Sequence, residues 1–101
     1  MNKEKAIQTI GLAFKANKVL HGETLVLEAI RSKKAKLVLL ASDTGPNTTK
    51  RITDKAAFYQ IPLYTGFITD DLSRAIGKDN RKVLAILNQD FRKLIENALT
   101  E

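Results

Sequence analysis

The chain has 101 residues, of which 44% are hydrophobic and 28% are charged, and it contains no cysteine. This length suits one compact domain, residues 1–101, and the absence of cysteine excludes a disulfide framework and thiolate chemistry, as in proteins of the reducing cytoplasm. Seventeen Lys and Arg against eleven Asp and Glu give a net charge of +6, which favours a polyanionic partner, although many basic faces are simply solvated.

The first part of the chain predicts two helices with a short strand between them. Residues 3–16 carry apolar side chains at helical spacing and predict an amphipathic helix. The apolar pair Val19 and Leu20 predicts a very short strand, and residues 23–32 predict a second helix that begins directly after Gly22. The inward stripe expected for this second helix is Leu25, Val26, Ala29 and Ile30.

The apolar run from Leu37 to Ala41 predicts a central strand. It contains no polar residue that would mark a wet face, so we expect helices to cover both sides of the sheet. A Ser-Asp-Thr-Gly-Pro turn follows, at the strand end where open α/β sheets usually place binding groups. Within this turn, we expect Asp43 to cap or brace the loop.

The remaining elements keep the alternation of helix and strand. The pattern predicts a third helix over 46–60, a short strand over 63–65, a fourth helix that Thr69 caps and Gly77 ends, and an inner strand over 83–87. A last helix has one apolar face: Phe91, Leu94, Ile95, Ala98 and Leu99. Five helices and four strands in this order predict a three-layer α/β/α sandwich around a four-stranded sheet, with the pairing of the strands left open.

The sequence offers little catalytic chemistry. His21 is the one histidine, and with no cysteine the chain lacks the usual ligands for a transition metal and the residues for Cys-His catalysis. The segment GPNTTKR departs from a phosphate loop at Thr49, where a glycine is required. We therefore predict no catalytic residue, metal ligand or cofactor. No stretch approaches the roughly 20 apolar residues that span a bilayer, so no membrane partner is expected.

Several segments, taken together and in order, resemble a known family. These are HGETLVLEAIR, AKLVLLASD, the pair Ile61-Pro62 and LSRAIG. They resemble the kink-turn RNA-binding ribosomal proteins of the L7Ae type, and most closely the small bacterial YlxQ-like branch. The resemblance implies an α/β/α sandwich, no catalytic activity, and binding of a sharply bent RNA helix with tandem sheared G·A pairs.

The resemblance implies a first RNA surface at the turn into the second helix. The family reads Gly-x-Asn-Glu there, followed three residues later by lysine, and the matching positions are Gly22, Glu23, Thr24, Leu25 and Glu28. Gly22 is kept, and Thr24 still offers a hydroxyl. Leu25 cannot accept a hydrogen bond from guanine, and Glu28 repels phosphate unless it is paired with a cation such as Arg31 or Arg51.

The resemblance implies a second surface in the loop before the fourth helix, where Phe67 would stack on a base. The competing interpretation is that Phe67 or Ile68 belongs to the core. Further cations would bind phosphate around the same edge, although the lysines after the second helix equally suit its negative carboxyl end. The implied RNA-binding residues are Lys18, His21, Gly22, Glu23, Thr24, Leu25, Glu28, Arg31, Lys33, Lys34, Phe67, Ile68 and Thr69.

These observations give one leading functional hypothesis and two alternatives. The leading one is a non-catalytic RNA-binding protein of translation or ribosome assembly, a cytoplasmic monomer whose partners are structured ribosomal RNA and possible ribosomal proteins. The first alternative is a protein-interaction module on the same fold, favoured if Leu25, Phe67 and Ile68 form an exposed apolar patch. The second is an enzyme related to the RNA-binding domains of RNA methyltransferases, for which no catalytic set is visible.

Overall fold

Helices and strands alternate strictly along the chain, and the computed structural model describes every residue from Met1 to Glu101. The helices are α1 (Lys3–Lys15), α2 (Glu23–Arg31), α3 (Pro46–Phe58), α4 (Thr69–Ile76) and α5 (Gln89–Thr100). The strands are β1 (Val19–His21), β2 (Leu37–Leu40), β3 (Leu63–Tyr64) and β4 (Val83–Ile86). The predicted order of nine elements is confirmed, with ends that differ by a few residues.

The four strands form one mixed sheet in the order β1-β4-β2-β3. Strand β4 runs antiparallel to both β1 and β2, whereas β2 and β3 are parallel. The carboxyl ends of β1, β2 and β3 therefore share one side of the sheet with the amino end of β4. We call this side the carboxyl edge, and it comprises Gly22 and residues 42–45, 65–69 and 78–82. The opposite side is the amino edge, which comprises residues 17–18, 33–36, 61–62 and 87–88.

Backbone hydrogen bonds fix the positions of these two edges. At the carboxyl edge the Gly22 amide donates to the carbonyl of Val83 at 3.1 Å. At the amino edge the Lys36 amide donates to Ile86 at 2.7 Å, and the Leu87 amide donates to Lys18 at 2.8 Å. Helix α2 consequently begins at the carboxyl edge and returns the chain to the amino edge.

Helices cover both faces of the sheet, as the uninterrupted apolar strands predict. Helices α1, α4 and α5 pack on one face around Ile10, Leu84 and Ile95, and α2 and α3 pack on the other around Ile30 and Ile52. All residues of β2 and β4 are buried. The predicted α/β/α sandwich is therefore confirmed.

The ends of α4 differ in part from their prediction. Ile68, not Thr69, is the residue that precedes the first turn, and the Asp71 carboxylate accepts the Ile68 amide at 3.0 Å. Thr69 does not cap the helix, because its hydroxyl donates to Asp43. Gly77 ends the helix as predicted, in a left-handed conformation with φ of 66° that glycine adopts without strain.

The apolar stripes of α2 and α5 are narrower than predicted. Leu25 remains 47% exposed and Leu94 remains 53% exposed, so neither belongs to the core. Val26, Ala29 and Ile30 alone form the buried stripe of α2. Successive residues of a helix are rotated by about 100°, so Leu25, which directly precedes Val26, lies at the margin of that stripe. None of the helices has the length and apolar composition needed to cross a membrane.

Candidate nucleic-acid interface

The turn from β1 into α2 presents open backbone at the carboxyl edge. Gly22 has a φ of 95°, a conformation that other residues rarely adopt, and a Cβ atom built on it would meet no atom within 4 Å. The glycine is therefore required by backbone conformation and not by crowding. Thr24, two residues further on, is exposed as predicted, so the backbone and a hydroxyl face solvent together.

Glu23, in contrast, is already occupied by groups of the protein. Its carboxylate accepts from the Arg51 guanidinium at two nitrogens and from the Thr48 hydroxyl at 3.1 Å. These hydrogen bonds, the one from Arg51 foremost, hold the pKa of Glu23 below its usual range. Through these bonds Glu23 joins α2 to α3. Its side chain is 29% exposed and is not a free acceptor for a ligand.

Glu28 lacks the cationic partner that the sequence analysis considered for it. It is exposed on α2 and forms no ion pair, because Arg51 is engaged by Glu23. Arg31, also exposed, lies in the last turn of α2 and lines a groove against α3. Glu28 therefore has no ion-pair partner, although Lys34 lines the same cleft as Glu28.

The prediction that Phe67 provides a stacking platform is wrong. Phe67 is 1% exposed, and its ring packs edge-on against Tyr64, with 5.3 Å between centroids. It fills the core between the sheet and α1, α4 and α5, where its burial stabilises the fold more than exposure at the rim would. Ile68 points outward instead and is 44% exposed, so it is the apolar side chain that this loop offers to a ligand.

Thr69 was also predicted to contact RNA, and its burial contradicts that role. It is 7% exposed, and its hydroxyl donates to Asp43 at 2.7 Å while accepting from the Lys82 ammonium at 3.1 Å. The Thr69 amide donates to the same Asp43 oxygen at 2.9 Å. These bonds lower the pKa of Asp43 and join three segments of the carboxyl edge. The prediction that Asp43 braces its loop is confirmed.

A basic loop before β4 was missed in the sequence analysis. Lys78, Arg81 and Lys82 lie beside the Gly22 turn, in a segment held by the Arg81 amide, which donates to the Ser73 hydroxyl at 2.8 Å. Partial burial of His21, together with the charges of Arg81 and Lys78, lowers the pKa of that imidazole. The run KDNRK directly after Gly77 was the available indication, because the strand that follows it is central.

Three predicted phosphate contacts, Lys18, Lys33 and Lys34, are exposed at the amino edge, whereas Gly22 is at the carboxyl edge. Strand β1 separates Lys18 from Gly22, and the nine residues of α2, about 13 Å at 1.5 Å per residue, separate Gly22 from Lys33 and Lys34. Lys34 nevertheless lines a cleft with Leu25 and Glu28, so it borders the surface along α2. Lys18 and Lys33 lie away from the Gly22 turn. No group of three His, Asp or Glu side chains capable of holding a metal ion occurs in the structure.

Comparison with known proteins identifies the family. The model of the Ribosomal protein L7Ae/L30e/S12e/Gadd45 family matches residues 4–96. The chain belongs to this family. A protein named RNA-binding protein YlxQ from Enterococcus faecium is 40% identical over 92 residues, covering 91% of this chain and 88% of that protein. RNA-binding protein YlxQ of Bacillus subtilis (strain 168) is 46% identical over 87 residues, covering 85% and 87%.

Two solved structures share the fold of this chain. A Bacillus halodurans protein of unknown function superposes with a TM-score of 0.90 at 35% identity, covering 96% of this chain and 98% of its own. The Giardia lamblia 15.5kD RNA binding protein gives a TM-score of 0.81 at 15% identity, covering 96% of this chain and 83% of its own. At that identity the second likeness shows a shared fold.

Within this L7Ae-family fold, the structure brings together part of the predicted site. Gly22, Thr24 and Ile68 are accessible on or beside the carboxyl edge, and Leu25 and Glu28 continue the surface along α2. The residues that leave the predicted site, by burial or by position, are Phe67, Thr69, Lys18, Arg31 and Lys33, whereas Lys34 shares a cleft with Leu25 and Glu28. The residues that join it are Lys78, Arg81 and Lys82.

Proposed function

We propose that this chain is a non-catalytic RNA-binding protein that docks structured RNA on the carboxyl edge. Membership of the L7Ae/L30e/S12e/Gadd45 family supports the proposal, as do two relatives that are named RNA-binding proteins. The observation that carries it is the cleft beside Gly22, where an open backbone turn adjoins Arg81 and Lys82. Backbone N–H groups and cationic side chains are the groups that contact nucleic-acid phosphate and sugar.

The kind of RNA that fits this edge is a sharply bent helix of the kink-turn type. Gly22 has no side chain to hold a groove away, so a base-pair edge can reach the backbone and the Thr24 hydroxyl together. Ile68 offers an apolar contact to an unstacked base at the far side of the site. The buried Nε of Arg81 has no hydrogen-bond partner, so turning the side chain towards a phosphate gains a bond.

We further propose that the protein works as a cytoplasmic monomer in translation or ribosome assembly, with ribosomal RNA as its ligand. Ribosomal proteins are the partners it would then meet. An exposed apolar patch of Leu25, Phe67 and Ile68 would favour the interaction-module alternative, and burial of Phe67 removes the largest member of that patch. No observation favours this alternative over RNA binding.

The test compares a kink-turn RNA with a duplex of equal length whose G·A pairs are replaced by Watson–Crick pairs. We expect the parent protein to prefer the kink-turn in filter binding. Arg81→Gln should weaken kink-turn binding about tenfold, the effect of losing one charge-assisted hydrogen bond. The matched control is Lys93→Gln, which removes one exposed, unpaired charge on α5 and should change little. Equal binding of the two RNAs would contradict the kink-turn proposal.

A further inference from the structure

The amino edge carries a group of cations that no acidic residue neutralises. Lys18, Lys33, Lys34 and Lys36 are exposed, and none of them forms an ion pair. Lys33 and Lys36 line a cleft with Arg92 and with the backbone segment 59–62. Arg92 is partly neutralised by Glu96 at 3.2 Å, and Asp90 at the start of α5 is an exposed acid near this edge.

An exposed aromatic ring lies next to these cations. Phe58, the last residue of α3, is 78% exposed, the largest exposure among the large hydrophobic residues. It meets the neighbouring Tyr59 ring at 75°, with 4.9 Å between centroids, so Tyr59 supports it while most of Phe58 stays in solvent. Tyr59 in turn lines the cleft of Lys33 and Lys36, which makes the surface continuous.

Phe58 also closes a second, larger groove between α2 and α3. Arg31, Arg51 and Lys55 line this groove together with Leu27. Asp54 is the acid on its wall, and the Lys50 ammonium holds that carboxylate at 2.8 Å. The exposed ring is therefore flanked by positive side chains in the groove and by lysines at the amino edge.

Helix dipoles account for only some of this arrangement. Arg31 and Lys55 lie in the last turns of α2 and α3, where a cation is favoured by the negative end of the helix. That effect falls off beyond the last turn, so it does not explain Lys36. Nor does it explain Phe58, whose exposure forfeits apolar burial.

We propose that this surface is a second RNA site, which binds an unpaired strand. A base stacks on the Phe58 ring, and the phosphates on either side lie against Arg31 and Lys55 in the groove and against Lys33 and Lys36 at the edge. Aromatic platforms within cationic grooves are how proteins hold single strands without reading their sequence. A duplex would present stacked bases and could not use the ring. We call these five residues the Phe58 site.

The Phe58 site rests on the proposed function, because it treats the protein as an RNA binder, but it uses a different part of the molecule. The protein measures 28 × 25 × 24 Å, and the Gly22 turn and the Phe58 site lie towards opposite ends of α2 and α3. A kink-turn on the carboxyl edge can therefore continue as a single strand that passes along α2 and α3 to Phe58. One RNA would then occupy both sites.

The test uses three fluorescent probes: a kink-turn alone, the same kink-turn with a single-stranded tail of about twelve uridines, and the oligouridine alone, a length within the usual range for single-strand sites. We expect the parent to bind oligouridine and to bind the tailed kink-turn more tightly than the kink-turn alone. Phe58→Ala should weaken oligouridine binding about tenfold, the effect of losing one stacked base, and should leave binding of the tail-free kink-turn unchanged.

Further variants separate stacking from other roles. Phe58→Tyr should bind oligouridine like the parent, whereas Phe58→Leu, which keeps apolar area but no ring, should resemble Phe58→Ala. Lys33→Gln with Lys36→Gln should make the slope of log affinity against log salt shallower by about 1.4, since each neutralised phosphate of a single strand contributes about 0.7. Leu12→Ala, a change at a 58% exposed residue of α1 on the opposite layer, is the matched control and should have no effect.

The outcomes distinguish the two sites. If Phe58→Ala and Phe58→Leu bind oligouridine and the tailed RNA as the parent does, the Phe58 site is wrong, and an acidic protein becomes the better occupant for this surface. If oligouridine binding depends on Phe58 while the kink-turn is not preferred over a duplex, the carboxyl-edge proposal fails and the Phe58 site stands. If no probe binds, both proposals fail.

Discussion

The two edges of the sheet use their charged residues in different ways. At the carboxyl edge some of the polar groups are bonded to one another: Asp43 holds Thr69, which also bonds Lys82. Lys78 and Arg81 at that edge form no ion pair, and the exposed lysines of the amino edge form none either. The first edge therefore combines braced loops with an open backbone turn, and the second presents four exposed, unpaired lysines.

The net charge of +6 therefore does not by itself identify the surface that recognises RNA. Free cations attract any polyanion and make its binding dependent on salt, whereas a shaped edge with fixed donors selects one geometry. We therefore expect specificity to come from the carboxyl edge and sequence-independent affinity from the amino edge.

The braced character of the carboxyl edge can be broken at Phe67. Phe67→Ala removes a ring that is 1% exposed, and we expect it to lower the free energy of unfolding by about 3–5 kcal/mol, the usual cost of such a cavity. Ile68→Ala, one residue further on, should cost far less because that side chain is 44% exposed. Urea unfolding of both variants measures the difference.

Kink-turn binding tests the roles of the same two residues. Ile68→Ala should weaken it while the fold stays intact, if Ile68 is the apolar contact of this loop. A Phe67→Ala variant that is as stable as the parent but binds RNA poorly would contradict the structural role of Phe67. That result would place Phe67 on the RNA surface, as the sequence first suggested.

The framework of the fold follows from local patterns in the sequence. The unbroken apolar runs in β2 and β4 require cover on both faces, and the left-handed Gly77 ends α4 where the periodicity stops. Asp43 was identifiable as a brace because a short carboxylate after a buried strand finds donors in the neighbouring loop. The first two inferences depend on residues close together in the chain, whereas the Asp43 brace has its partner 26 residues away.

The parts of the site that sequence analysis missed depend on helix direction and strand order. Lys33 lies two residues beyond the end of α2, and that helix carries the chain from the Gly22 turn to the other edge. Strand β4 lies between β1 and β2 and brings Arg81 beside His21, sixty residues away in sequence. The prediction that Phe67 is exposed was wrong for another reason. An irregular loop has no periodicity to show which of two adjacent apolar residues points inward.

The division between the edges can be sharpened by restoring polar groups to α2. Leu25→Glu with Glu28→Lys supplies an acceptor and a cation three residues apart on one exposed face, so both can reach the same groove. A guanine contact and a phosphate contact are each worth about 1–3 kcal/mol, so we expect kink-turn affinity to rise tenfold or more. Calorimetry with the kink-turn probe measures the gain.

The control for this double variant adds the same net charge elsewhere. Gln89→Lys raises the charge by one at the exposed start of α5, beside the amino edge, and should improve oligouridine binding without improving the kink-turn. If Gln89→Lys strengthens kink-turn binding as much as the double variant does, the gain comes from net charge. The carboxyl edge would then have no special part in recognition.

The smallest expected effect concerns protons at His21. Burial of the imidazole, with Arg81 and Lys78 nearby, lowers its pKa below the ordinary value of about 6.5, so it is neutral at pH 7 in the free protein. A phosphate docked at this edge favours the protonated form and raises the pKa, so binding takes up a proton. Kink-turn affinity should therefore increase as pH falls below 7, by less than about tenfold if the pKa rises by less than one unit.

Two comparisons isolate this contribution from other titrating groups. His21→Gln should remove the added pH dependence of kink-turn binding, and oligouridine binding at the amino edge should not depend on the substitution. Stability should change in the opposite direction, because the unfolded chain protonates His21 at a higher pH than the folded one. The free protein therefore loses stability as pH falls through about 6.5 towards the lower folded pKa, while the complex gains affinity. Unchanged pH dependence in His21→Gln would place the bound phosphates away from His21.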